Sequence, residues 1–134
     1  MSGVDIVGAL LLGSDEATAY AAEGSILSEY LPEDVVLPAF VVRSVSLLDR
    51  QPLRRGPKVR SFERVAVTVR ARNYEEQRRG MKIIRRVCGG FVAPQLGDAT
   101  NVAVLTDGAG PDVIGPGNTS ERTQDLRVSY DADA

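Results

Sequence analysis

The amino-acid sequence predicts an α+β domain: an antiparallel sheet of about four strands with helices packed mainly on one face. Three observations carry that expectation. Val65, Val67, Val69 and Ala71 alternate with Arg64, Thr68, Arg70 and Arg72, the period of a strand with one buried face. That strand runs straight into Asn73 and Glu76, which have capping-box spacing, so residues 74–88 predict a helix that Gly89-Gly90 ends. Val4, Ile6, Val7, Leu10 and Leu11 recur at helical spacing between a capping Ser2 and a terminating Gly13, which predicts a first helix over 3–12.

The remaining elements follow in order. Ser14, Asp15 and Glu16 form the capped, acidic first turn of a short helix ending near Ala22. After Pro38, the run Ala39 to Leu48 is rich in β-branched residues without a helical stripe, and it predicts a strand that pairs with 62–72. The helix over 74–88 turns Tyr74, Met81, Ile84 and Cys88 to the core with Ile83 and Val87 beside them, and its cations form an ordinary solvated face. Strands over 101–105 and 121–130 close the sheet around a Gly/Pro-rich connection, and Asp131 to Ala134 is expected to fray.

Between the two long strands lies Asp49 to Arg60, too long and too rich in Pro and Gly for a tight hairpin turn. It predicts an extended basic arm over 50–60 on a single domain of residues 1–134. Its cations, Arg50, Arg54, Arg55, Lys58 and Arg60, are the candidate partner-binding residues. Long irregular loops tend to be functional or mobile.

Charge is sharply segmented. Residues 1–42 carry seven acids and no base, residues 43–88 fourteen bases against four acids, and residues 89–134 two bases against seven acids. Such a pattern suits a nucleic-acid surface, complementary faces for head-to-tail self-association, or a fold that neutralises itself. The arm has no aromatic residue on which bases could stack, which argues against sequence-specific nucleic-acid recognition. Non-specific, salt-sensitive contact with phosphates remains open.

The 134 residues include no histidine and one cysteine, Cys88. Catalytic triads, histidine general bases and the usual zinc sites therefore lack a required side chain, and no catalytic, cofactor or metal site is expected. Cys88 falls on the apolar side of its helix and reads as a small core residue. Gly108-Ala109-Gly110 begins like a dinucleotide fingerprint, but the third glycine is missing and Pro111 spoils the helix start. No apolar run approaches the roughly 20 residues of a membrane-spanning helix, and no secretory leader pattern precedes Arg43. A non-enzymatic, cytoplasmically made protein that assembles with copies of itself is the expectation.

The order of elements also resembles a family. A short helical N-terminus, Leu37-Pro38-Ala39-Phe40-Val41-Val42 leading into the first long strand, the passage Glu63 to Glu76 and the closing Arg122 to Tyr130 are similar to the tail terminator, or tail completion, proteins of long-tailed bacteriophages and gene transfer agents. The likeness spans nearly the whole chain. It implies a β-sheet flanked by helices and a hexameric ring that caps the tail tube and joins it to the neck below the capsid. The implied partners are further copies of the chain, the tail tube protein and a neck or head completion protein; the charge of the basic arm adds non-specific contact with genomic DNA in the channel as an expectation, and the short apolar runs add none with membrane. The implied location is the neck end of the virion tail, after assembly in the host cytoplasm. The role of the arm is not carried by the resemblance.

Overall fold

Strand β3 (Lys58–Ala71) is the centre of the fold in the computed structural model, which describes residues 1–54 and 56–133. It pairs antiparallel with β2 (Ala39–Arg50) on one side and with β7 (Ser120–Asp133) on the other. The sheet continues from β7 to β5 (Ala99–Ala109) and β4 (Val92–Leu96), and on the far side from β2 to β1 (Ile26–Ser28). The two-residue β6 (Val113–Ile114) pairs with β7 beyond the point where β5 leaves it. The sheet is thus larger than the four strands expected, and it is mixed, because β1 runs parallel to β2.

The missed strands are short or atypical. β1 has three residues, β6 has two, and β4 reads Val-Ala-Pro-Gln-Leu, where Pro94 interrupts any alternation. Gly97, at φ 60°, turns β4 back into β5. Strand ends also reach further than the sequence suggests. Residues 131–133, expected to fray, are the last rungs of the β3–β7 ladder, where Asp133 lies opposite Lys58.

Helices α1 (Gly3–Leu12), α2 (Asp15–Tyr20) and α3 (Tyr74–Cys88) share one apolar core with a single face of the sheet. Ser2 and Asp5 form a full capping box on α1, and the Asn73 side chain accepts from the Glu76 amide at the start of α3. Ile6, Val7 and Leu11 of α1 share one buried cluster with Phe40, Val65 and Val67 of the sheet, and Met81, Ile84 and Cys88 of α3 belong to the same cluster with Val104, Leu126 and Val128. Tyr74, expected on the core face, is 51% exposed and lies beside the Arg78 guanidinium instead. The buried residues of α3 begin at Glu76 and Gln77, and the Gln77 side-chain amide donates to Asp112 at 2.6 Å and ties the loop before β6 to the helix.

Two buried polar contacts fix how the helices sit. Glu63, almost fully buried in β3, accepts from the Gly3 amide at the start of α1 and from the Tyr130 hydroxyl, both at 3.0 Å. A carboxylate at a helix N-terminus is a favourable pairing, and here it anchors α1 to the sheet. Gly80 lets α3 approach α2 and the sheet closely, since a Cβ there would lie 2.7 Å from both the Tyr20 hydroxyl and Val69. Gly80→Ala would improve intrinsic helix propensity, yet overpacking dominates at that distance. The substitution should destabilise the fold by about 1–3 kcal/mol in urea titrations with an unchanged m-value.

Candidate functional site

With the helices all on one face, the opposite face of the sheet carries no helix among the described residues, and its end beside the β2–β3 connection is exposed. Residues of β3 that alternate with the core positions point to this open face: exposed Phe62 and Arg64 alternate with buried Glu63 and Val65. Across the ladders, Leu48 lies opposite Phe62, and Arg127 lies opposite Arg64 with Leu105 beyond it. Leu48 is 60% exposed, Leu105 56% and Phe62 39%, so an apolar patch stands in solvent at the centre of this end of the sheet. These side chains line a groove of about 490 Å³ together with Arg50, Arg64 and Arg127.

The groove is electrostatically incomplete. Arg64 and Arg127 would repel as a directly opposed like-charge pair, and both lean on one carboxylate, Asp107, at 3.2 and 3.5 Å. Arg50 has no ion-pair partner among the described residues, and its guanidinium lies 5.3 Å from the Phe62 ring centroid.

The five cations of the expected arm separate into different environments. Arg50 ends β2, while Lys58 and Arg60 begin β3, so the irregular connection narrows to residues 51–57. Arg60 is built into the sheet: it donates to the Asn101 carbonyl at 2.7 Å, to Ser129 at 3.1 Å and to Asp131 at 3.2 Å. Lys58 pairs with Asp133 at 2.8 Å. Arg54 is exposed in the connection without an ion-pair partner among the described residues, and Arg55 lies outside the described residues. The carboxylates that neutralise Lys58 and Arg60 come from β7, directly across the ladder. Antiparallel pairing places them there.

The titration behaviour follows these contacts. Hydrogen bonds from Asn101, and then from Arg60, hold the Asp131 carboxyl below the usual carboxylate range, and the Asp133 hydrogen bond raises the Lys58 ammonium. Burial pushes the Cys88 thiol up to about 12, far from a reactive thiolate. Among the described residues no group of three His, Cys, Asp or Glu is placed to hold a metal ion, and no helix is long and apolar enough to cross a membrane.

A second exposed feature lies at the other end of the molecule. The connection from β1 to β2 carries Glu29, Glu33 and Asp34 with Tyr30 71% and Val36 70% exposed. Its Pro32 carbonyl accepts from Arg70 at 3.4 Å, which sets this connection against the open face at the end remote from the groove. Sequence reasoning singled out neither this acidic connection nor the groove. For the groove a signal was available: Phe62 is a large aromatic on the polar side of the β3 alternation.

No protein-family model and no curated protein matches the chain. Its fold is similar to that of a chain from the virion of a native gene transfer agent particle, with a TM-score of 0.69 at 8% identity over 94% of this chain and 92% of that one. At that identity the likeness is one of fold.

Asp131 has a depressed folded-state value, so its contribution is fully present above the ordinary carboxylate range of about pH 4 and is lost as pH falls through the lowered value. Asp131→Asn should therefore flatten the stability loss below about pH 4, followed by thermal unfolding across an acid series. Arg60→Ala removes three hydrogen bonds and should cost about 1–3 kcal/mol at pH 7.

Proposed function

We propose that the chain is a non-enzymatic structural virion protein, a tail terminator whose copies close into a hexameric ring at the neck end of the tail tube. The observation that carries this reading is the near end-to-end match of fold with a gene transfer agent virion chain. The side-chain inventory supports it: a chain without histidine whose single cysteine is buried offers none of the common nucleophile and base pairs. Depressions on the surface are shallow and lined by cations or mixed side chains, with no convergent set of catalytic groups among the described residues.

In this reading the ring stacks on the tail tube protein and receives a neck or head completion protein on its other side. The connection at 51–57, with Arg54 and Arg55 between Arg50 and Lys58, reaches toward the neck partner or the genomic DNA in the channel. Arg54 carries that expectation among the described residues, because Lys58 and Arg60 are already neutralised within the chain. Another neck component would share the fold and differ in the surface it docks. The protein is made in the host cytoplasm and ends in the virion.

A tube without its terminator keeps adding subunits. Deleting the gene should give overlong, headless tails in negative-stain micrographs, and supplying the chain should restore uniform tails carrying it at the neck end only. Normal tails in the deletion strain would overturn the terminator role. Reversing Arg54 and Arg55 to glutamate should leave ring formation intact and lower head joining at least tenfold, read as the ratio of full particles to free tails. Loss that depends strongly on salt would assign the contact to DNA, and salt-independent loss to a protein partner.

A further inference from the structure

Acidic and basic segments of this chain do not cancel evenly when it folds. Carboxylates of the C-terminal third, Asp107, Glu121, Asp131 and Asp133, pair with cations of the middle segment. Of the seven acids in residues 1–42, only Glu16 forms an ion pair among the described residues, with Arg86. What is left over is spatially sorted. Glu29, Glu33 and Asp34 stand beside the exposed Tyr30 and Val36, while the groove holds three guanidiniums against one carboxylate around Leu48, Phe62 and Leu105.

We infer that the groove on the open sheet face binds the acidic β1–β2 connection of a second copy of the chain, with Glu33 and Asp34 facing Arg64 and Arg127 and with Tyr30 and Val36 covering the Leu48–Phe62 patch. The two surfaces cannot satisfy each other within one subunit. The connection touches the sheet at Arg70, six residues along β3 from Arg64 and therefore about 20 Å away. Two different, complementary patches on one rigid sheet make a heterologous contact, and a heterologous contact closes into a ring when its rotation permits. Each patch also meets the chemical need of the other: the connection carries acids and no cation, the groove carries three guanidiniums with Asp107 as the one carboxylate paired to them, and each leaves apolar side chains in water. The inference rests on the self-assembling reading and names its contact.

The test uses the full chain in two charge-reversed forms, Glu33→Lys with Asp34→Lys, and Arg64→Glu with Arg127→Glu, compared by sedimentation velocity. Each form alone should self-associate at least a hundredfold more weakly than the unmodified chain. An equimolar mixture should recover assembly, because each interface then pairs either two native or two reversed patches. Circular dichroism checks that each form folds, and Leu48→Ser, at an exposed site, should weaken assembly where the arginine reversal unfolds. Reversed forms that assemble like the unmodified chain, or a mixture of folded forms that does not recover, would overturn the contact while leaving the ring reading standing. An unmodified chain that stays monomeric at its highest attainable concentration also overturns the contact. The ring reading is then decided separately, by counting copies on purified tails.

Discussion

The double pairing of β3 is the constraint on which the other features depend. Its fourteen residues all pair with β7 on one side, and Arg60 to Arg70 pair with β2 on the other. Every position on it is therefore committed to one of two faces, and a one-residue slip would exchange Val65, Val67 and Val69 for Ala66, Thr68 and Arg70. Burial of the valines under α1 and α3 makes that slip prohibitive. Because the helices take one face, Phe62 and Arg64 are delivered to the other, and because β7 is held in register, Asp131 and Asp133 arrive opposite Arg60 and Lys58.

The long elements were legible because each has a strong local signal. Alternation marked β3, and capping residues marked both ends of α1 and α3. What escaped was set by tertiary pairing. β1 exists because Ile26 to Ser28 lie alongside Phe40 to Val42, and β4 because Gly97 folds it onto β5. Lys58 and Arg60 looked like members of a mobile arm because Pro52, Gly56 and Pro57 precede them. Their strand character comes from cross-strand carboxylates more than 70 residues away, a distance at which local pattern carries no information.

The same separation explains why the charge blocks were readable while their roles were not. A basic middle and an acidic C-terminus predict attraction, and the sheet realises it as cross-strand ion pairs. Exposed pairs of this kind contribute little stability individually. Their larger effect is subtraction: they remove Lys58, Arg60 and Arg70 from the cations available to a partner, make Arg64 and Arg127 share the one carboxylate of Asp107, and leave Arg50 and Arg54 without an ion pair among the described residues. Only after folding is that remainder visible.

Sheet edges bear on how such a chain can assemble. Beyond Val42 the outer side of β2 has no strand neighbour among the described residues, and an unpaired edge of that length invites uncontrolled strand addition. A register irregularity between Ser44 and Ser46 breaks its regular row of amides, and Arg43, Asp49 and Arg50 place charges along it. At the opposite edge, Pro94 removes a donor from the middle of β4. Both edges are thus poorly suited to extending the sheet from copy to copy, an open-ended mode that leads to fibres. The contact between copies proposed above avoids both edges: it uses side-chain surfaces of the open face, and a contact of that kind closes a ring when it fixes one rotation between neighbours.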